Sequence, residues 1–120
     1  MCKVHQIKQT VLQLDFGKTL TREMMEARYT NDMTAVLVNL HETSIGQLYD
    51  IDMLDHFCQD HGLLLIVDAI SSFLADPINM ESNHIDVMIF KFSESIVFGT
   101  RDLYGNPFSA CGATISRAWH

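Results

Sequence analysis

Basic side chains are missing from the middle of this 120-residue chain. No Lys or Arg occurs between Arg28 and Lys91, whereas ten Asp and Glu fall in that stretch, and the net charge of the whole chain is −7. Nucleic-acid binding draws most of its affinity from Lys and Arg that neutralise phosphates. The middle of the chain therefore cannot be a DNA or RNA surface, and an anionic ligand there would need backbone N–H groups or residues from elsewhere.

Paired cysteines and long apolar runs are missing too. Cys2, Cys58 and Cys111 are widely spaced and form no C-x-x-C pair, which argues against disulfides or a zinc knuckle and favours a reducing compartment. The longest apolar run, Leu63 to Val67, is too short to span a bilayer, and the first residues contain no apolar segment of signal-peptide length. We expect a cytoplasmic protein with no membrane partner.

Motifs for metals, phosphates and hydrolysis are also lacking. His41 and Glu42 form an adjacent pair with no third ligand at helical spacing, so we predict no metal site. His56 and His61 lie on different faces of a predicted helix, where we expect them to be solvated. Both phosphate-loop motifs are absent, and Ser71 and Ser72 lack the G-x-S-x-G context of a hydrolase.

Apolar runs do alternate with helical patterns along residues 11–90. These apolar runs predict strands over Val11–Phe16, Ala35–Leu40, Leu63–Ala69 and Ile85–Phe90. Helices are predicted from Thr19 or Thr21 to about Thr30, with Leu20, Met24 and Ala27 on one face, and from Asp50 or Asp52 to Gly62, with Ile51, Leu54, Phe57 and Cys58 on the inner face. Nearly continuous apolar strands are typical of parallel sheets covered on both faces. The order of elements predicts an α/β fold built from crossovers.

Two polar loops follow predicted strands, namely His41 to Gly46 and Asp68 to Ser72. Ligands of open α/β sheets bind beyond the carboxyl ends of the strands. Asp68 could pair with a ligand cation, coordinate Mg²⁺ or cap the next turn. Thr43 and Ser44 could donate to a ligand or satisfy the loop backbone, and Cys58 is predicted to be a small core residue.

His41-Glu-Thr-Ser-Ile-Gly46 and Ile66-Val-Asp-Ala-Ile-Ser-Ser72 resemble the class V aminotransferases, pyridoxal 5′-phosphate (PLP) enzymes of fold type I. The fuller pattern, which adds Leu48 to Asp52, Phe57-Cys58, His61-Gly62 and Asp86 to Ile89, is most similar to the 2-aminoethylphosphonate:pyruvate transaminases. The resemblance implies that residues 1–90 are part of a three-layer αβα large domain with a mostly parallel sheet. It also implies transfer of an amino group from 2-aminoethylphosphonate to pyruvate, in a parent enzyme that is a homodimer.

The resemblance assigns roles to residues of both loops. Asp68 would pair with the protonated pyridine nitrogen of the cofactor, which keeps the ring an electron sink. Ile70 would pack under the ring, and Thr43 would hydrogen-bond near its phenolic oxygen. The supporting loop residues are His41, Glu42, Ser44, Gly46 and Ser71.

The Schiff-base lysine implied by the resemblance is not found in frame. The family continues its third strand into a Ser-Ser-Gln-Lys-like segment, whereas Phe90 is followed here by Lys91-Phe-Ser-Glu. Lys91 falls about three positions early and lacks the Gln neighbour, so no catalytic residue is assigned. The phosphate-binding loop would lie upstream of Met1 and the small domain beyond His120, so we expect an inactive fragment.

Residues 91–120 follow no sustained period, and we predict an irregular tail. Codons can be chosen for residues 90–101 so that the neighbouring frame reads Ser-Ser-Phe-Gln-Lys-Val-Leu-Ser-Leu-Ala-Pro-Gly, which resembles the lysine segment of the family. Our hypothesis is a frameshift near Phe90. The alternatives are a non-catalytic remnant or binding fragment, an alanine or serine:glyoxylate aminotransferase, and a cysteine desulfurase, whose mobile reactive cysteine could only be Cys111 in the suspect tail.

Overall fold

The computed structural model describes residues 8–72, 75–92 and 95–100, with side chains described as far as residue 91. Its elements, in chain order, are α1 (Arg22–Glu26), β1 (Ala35–Asn39), β2 (His41–Glu42), β3 (Gln47–Leu48), α2 (Ile51–His61), β4 (Leu64–Asp68), β5 (Val87–Phe92) and β6 (Ser95–Thr100). None of the helices in these ranges is long and apolar enough to cross a membrane.

A four-stranded sheet with the order β1-β4-β5-β6 forms the centre of the described structure. β1, β4 and β5 are parallel, with Val36 opposite Leu65 and Val67 opposite Met88, while β6 is antiparallel to β5. The connection from β1 to β4 contains α2, as a parallel pair requires. The α/β class and the mostly parallel sheet predicted from the sequence are therefore confirmed.

Helix α2 begins and ends at residues that the sequence predicts. Asp50 is the N-cap, and its Oδ1 accepts hydrogen bonds from the N–H groups of Asp52 (3.0 Å) and Met53 (3.1 Å). Gly62 ends the helix with a φ of +65°, a left-handed conformation that glycine adopts without steric cost.

The core lies between α2 and one face of the sheet. Its buried apolar residues are Met25, Leu40, Leu54, Phe57, Cys58, Leu63, Leu65, Val67, Ala69, Ile85 and Met88. Leu54, Phe57 and Cys58 come from α2 at the predicted spacing of three and four. The first helix contacts α2, and Tyr29 beyond it packs edge-on against Phe57 with 6.3 Å between ring centroids.

The prediction that the strands are covered on both faces is wrong for β1 and β4. Leu37 is 55% exposed and Leu64 is 51% exposed, although Leu65 and Val67 on the opposite face are buried. Among the described residues, helices cover only one face of the sheet, so two of the three layers implied by the resemblance are present here.

The predicted strand Val11–Phe16 is irregular in the structure. Val11 is 65% exposed and Phe16 is 85% exposed. A strand needs a hydrogen-bonded neighbour, and no strand in the described ranges pairs with this segment. Alternation of apolar and polar residues cannot by itself supply that neighbour.

Helix α1 is shorter than predicted and buries a different side chain. Thr21 is its N-cap, as predicted, but the helix ends at Glu26, where the Arg28 N–H bonds to the carbonyl of Met25, only three residues back. Met25 is buried, whereas Met24 on the predicted face is 39% exposed.

The last predicted strand, Ile85–Phe90, begins later and extends further than predicted. The side chain of Asp86 replaces a backbone acceptor at the start of the strand, since its Oδ2 accepts a hydrogen bond from the N–H of Leu65 at 2.8 Å. The strand β5 therefore begins one residue later, at Val87. It continues to Phe92 and pairs with β6, so residues 91, 92 and 95–100 of the predicted irregular tail are strand. Residues 101–120, including Cys111, lie outside the described residues.

His61 is not solvated in the way predicted, although His56 is exposed. The His61 ring lies 4.0 Å from that of Tyr29 and 4.6 Å from that of Phe57, between centroids. Its Nε2 is 3.0 Å from both carboxylate oxygens of Glu26, and this hydrogen bond is the main reason that the pKa of Glu26 lies below its ordinary value. His61 thus joins α2 to α1.

Candidate functional site

The two polar loops predicted from the sequence meet at the carboxyl edge of the sheet. Asn39, the last residue of β1, lies opposite Asp68, the last residue of β4. The N–H of Leu40 then donates to the carbonyl of Asp68 at 3.1 Å. The backbone therefore holds the start of one loop against the start of the other, where ligands of open parallel sheets bind.

The first loop is a small hairpin. His41 and Glu42 of β2 pair antiparallel with Leu48 and Gln47 of β3, and Gly46 turns the chain with a φ of +65°. An added Cβ at Gly46 would meet no atom within 4 Å, so its role is conformational. The predicted loop thus has more regular structure than its sequence suggests.

Glu42 and Ser44 stabilise the tip of this hairpin. Oε1 of Glu42 accepts from the backbone N–H of Ser44 at 3.1 Å and from its hydroxyl at 2.8 Å. These hydrogen bonds hold the pKa of Glu42 below its ordinary value, because they favour the charged carboxylate. Thr43 lies between the two and is exposed, so its hydroxyl is free to face a ligand.

Asp68 begins the second loop and is half-buried. Its Oδ1 accepts from the N–H of Ile70 at 3.1 Å, so the turn-capping alternative is realised by one of its two oxygens. No Lys or Arg in the described ranges pairs with Asp68, which leaves Oδ2 available to a ligand cation. Ile70 beside it is 40% exposed, and Ser71 is exposed as well.

The Mg²⁺ alternative for Asp68 has no support in this structure. Within residues 8–72, 75–92 and 95–100, no group of three His, Cys, Asp or Glu side chains could hold a metal ion.

His41 and Asp76 are brought together by the fold. His41 Nδ1 and Asp76 Oδ2 lie 3.4 Å apart. Both atoms are buried and have no hydrogen-bond partner, and the same is true of the hydroxyl of Ser72. Sequence reasoning included His41 and missed Asp76, because a lone Asp before Pro77 reads as an ordinary turn residue.

Lys91 lies near the same edge of the sheet. Ile89 pairs with Asp68, and Lys91 is two residues further along β5, on the face that Asp68 shares. Lys91 is exposed and makes no ion pair with Asp68. Lys91 therefore lies within β5, whereas the resemblance places the Schiff-base lysine of the family in a segment that follows this strand.

A groove lies beside these loops rather than on them. It occupies about 640 Å³ between the start of α2 and residues 76–83. Leu40, Tyr49, Asp50, Asp76, Ile78 and Asn83 are among its lining residues. Asp68, Thr43 and Ile70 do not line it, so it does not overlap the predicted cofactor residues.

The mostly parallel α/β sheet is consistent with part of the large domain of the fold type I PLP-dependent transferases. A solved structure supports this assignment. The chain is similar to pyridoxamine-pyruvate aminotransferase from Mesorhizobium loti, with 32% sequence identity and a TM-score of 0.50 over 57% of this chain and 17% of that one.

The family model of the class V aminotransferases matches residues 1–93, and the chain belongs to this family. Among curated relatives, it is 30% identical to a 2-aminoethylphosphonate–pyruvate transaminase of Phocaeicola vulgatus over 80% of this chain. It is 50% identical to 2-aminoethylphosphonate–pyruvate transaminase 2 of Paraburkholderia xenovorans over 40% of this chain. The chain spans only 27% and 13% of the lengths of these relatives.

Proposed function

We propose that the chain is a part of a transaminase that moves an amino group from 2-aminoethylphosphonate to pyruvate, and that Asp68 binds the pyridine nitrogen of PLP. The observation that carries the proposal is the available Oδ2 of Asp68 at the carboxyl edge of the parallel sheet. Pyruvate appears in the names of both the curated relatives and the solved structure, and 2-aminoethylphosphonate in those of the curated relatives.

The chemistry of the donor set fits the cofactor ring. A carboxylate with no cation of its own stabilises a protonated ring nitrogen, an exposed hydroxyl at Thr43 can donate to a phenolic oxygen, and the exposed side chain of Ile70 offers apolar contact. PLP supplies the electron sink and carries the amino group. Asp68 would keep the ring nitrogen protonated, and Thr43 and Ile70 would orient the ring.

In this proposal, the chain does not carry out the transfer of the amino group alone. Residues that hold the cofactor phosphate are not assigned in this chain, and Lys91 lies on β5 without the neighbours of the family lysine. We also propose that the parent protein is a cytoplasmic homodimer. The buried free thiol of Cys58 supports a reducing compartment and does not support the desulfurase alternative.

Binding of pyridoxamine 5′-phosphate tests the role of Asp68, because this probe carries the ring and phosphate but cannot bond covalently to surface lysines. Fluorescence titration of the chain should give saturable binding that D68N weakens by about tenfold, the factor expected for one lost charge-assisted hydrogen bond. D60N is the matched control, since Asp60 is an exposed carboxylate that pairs with Arg22 at 2.6 Å. Equal affinity of D68N and the unaltered chain would contradict the proposal.

The frameshift near Phe90 remains a proposal, and the end of the family match at residue 93 supports it. Sequencing the gene is the direct test. We expect the neighbouring frame to encode Gln-Lys at this point, and its absence would rule out the frameshift. Restoring that frame together with an upstream segment that encodes the phosphate-binding loop should then give a chain that transfers the amino group of 2-aminoethylphosphonate to pyruvate, measured as alanine formed.

A further inference from the structure

Three buried polar atoms without a hydrogen-bond partner lie on two segments next to the proposed cofactor residues. They are His41 Nδ1, Ser72 Oγ and Asp76 Oδ2. Buried polar atoms in folded proteins almost always have a hydrogen-bond partner, so three such atoms without one are unusual. His41 begins the hairpin that carries Thr43, and the segment with Ser72 and Asp76 follows Asp68.

Two of these atoms face each other. The distance between His41 Nδ1 and Asp76 Oδ2 is 3.4 Å. A carboxylate oxygen can only accept, so the contact is favourable when Nδ1 carries the proton. Glu42, adjacent in the chain to His41, is already bonded to Ser44. Asp76 is therefore the carboxylate that lies nearest to accept a proton from His41 Nδ1.

The segment that carries Asp76 is itself tied to the end of β4. The N–H of Asp76 donates to the carbonyl of Ser72 at 2.9 Å, and the N–H of Ser72 donates to that of Ala69 at 3.1 Å. Ala69, next to Asp68 in the chain, is buried, and its N–H donates to the carbonyl of Ile89 at 2.7 Å. The position of Asp76 is thus set by the strand that presents Asp68.

The hairpin on the other side of the contact is short. Its base is held by backbone hydrogen bonds at Leu40, and Gln47 Nε2 donates to the carbonyl of Lys18 at 2.7 Å. Each of its strands has only two residues, and an isolated pair of this size is marginal in water. We therefore expect the contact between His41 and Asp76 to affect the position of Thr43.

We propose that His41 and Asp76 are a positioning pair that fixes the hairpin of β2 and β3 against the segment after β4, so that Thr43 and Asp68 face one site. The proposal rests on the proposed function for its consequence, which is cofactor affinity. The positioning of the hairpin by His41 and Asp76 concerns only this chain and can be tested separately from cofactor binding.

The protonation state of His41 gives the first test. Long-range ¹H–¹⁵N correlation spectra of the ¹⁵N-labelled chain report which ring nitrogens carry a proton. We expect a proton on Nδ1 of His41 in the unaltered chain and in D76N, whose amide oxygen can still accept it, and loss of this preference in D76A. A bare Nδ1 in the unaltered chain would overturn the proposal.

Positioning of the hairpin gives the second test. D76A should shift the backbone amide resonances of Thr43 and Ser44, and D76N should restore them. D60A is the matched control, since it removes a carboxylate from an exposed ion pair with Arg22 and should leave those resonances in place. If D76A leaves them in place as well, the pair does not position the hairpin.

Cofactor affinity gives the third test and separates the two proposals. D76A should weaken binding of pyridoxamine 5′-phosphate by about tenfold, the effect expected when a displaced Thr43 loses one hydrogen bond to the probe, and D76N should bind as the unaltered chain does. If the resonances move but no form binds the probe, the proposed function fails and the positioning pair stands. If D76A does not fold, the proton on His41 in the unaltered chain and in D76N decides.

Discussion

Asp68 and Asp50 show how one residue type serves two purposes in the same chain. Asp50 accepts two backbone N–H groups through one oxygen and caps α2. Asp68 accepts one backbone N–H through one oxygen and keeps the other available. No Lys or Arg occurs from residue 29 to residue 90. Asp60 and Asp32 of this stretch pair with cations from the N-terminal part of the chain, Arg22 and Lys8, whereas Asp68 pairs with no Lys or Arg of the described residues.

Cys58 is a further residue whose surroundings determine its chemistry. The side chain is 3% exposed on the inner face of α2. Burial raises the pKa of its thiol to about 12, and the nearby carboxylates of Asp55 and Asp86 add to the shift. The thiolate is the reactive form, so Cys58 is inert at neutral pH.

We therefore expect Cys58 to react with a thiol reagent only after unfolding. A variant with C2S and C111S leaves Cys58 as the single thiol. Its reaction with 5,5′-dithiobis(2-nitrobenzoate) at pH 8 should be at least ~100-fold slower in the native chain than in urea, because a thiol whose pKa is raised to about 12 is rarely ionised at that pH. Fast labelling of the native chain would place Cys58 at the surface.

The same shift sets a pH dependence of stability. The unfolded chain loses the thiol proton near the ordinary pKa, whereas the folded chain keeps it until about pH 12. The folded state binds more protons in this interval, so the contribution of Cys58 is complete below the ordinary pKa and is lost as pH rises towards 12. Above pH 9, the urea midpoint of C58A should fall less steeply with increasing pH than the urea midpoint of the unaltered chain.

Helix α2 shows which elements a sequence determines by itself. Its cap at Asp50, its apolar spacing and its end at Gly62 are local signals, and all three are confirmed. The failures concern elements whose form depends on distant residues. Val11–Phe16 alternates like a strand but has no strand beside it in the described ranges, and the length of β5 is set by pairing with β6.

Removal of the α2 cap should destabilise the chain by about 1 kcal/mol. D50A leaves the N–H groups of Asp52 and Met53 without their acceptor, and D50S keeps an oxygen in place. Urea unfolding followed by circular dichroism should show the loss for D50A and little change for D50S. Equal loss in both variants would mean that the charge of Asp50, rather than its hydrogen bonds, stabilises the helix.

The candidate site was predictable in part for the same physical reason. Parallel strands bring their carboxyl ends to one edge, so the positions of Asp68 and of the hairpin with Thr43 follow from the strand pattern and are seen in the structure. Asp76 was not predictable, because its contact with His41 joins residues 35 apart through a turn with no regular pattern. Whether these residues bind the cofactor remains a prediction.

At the scale of the whole molecule, the sheet has two unlike faces. The face towards α2 holds the buried side chains of Leu65, Val67 and Met88. The other face presents Leu37 and Leu64, each more than half exposed, on neighbouring strands. Apolar strands without a covering layer favour association of the chain with itself.

Polar residues on this open face should reduce self-association without loss of stability. L37T/L64T places β-branched Thr, which suits a strand, at both positions. Substitutions at exposed positions change the free energy of unfolding by about 0.5 kcal/mol or less. Sedimentation velocity over a concentration series should show less oligomer for the double variant. L65T is the contrasting control, since Leu65 is 1% exposed and its replacement should cost about 2–4 kcal/mol. A loss of that size in L37T/L64T would mean that the face of Leu37 and Leu64 is packed in solution, and the two-layer arrangement of the described residues would then be incomplete.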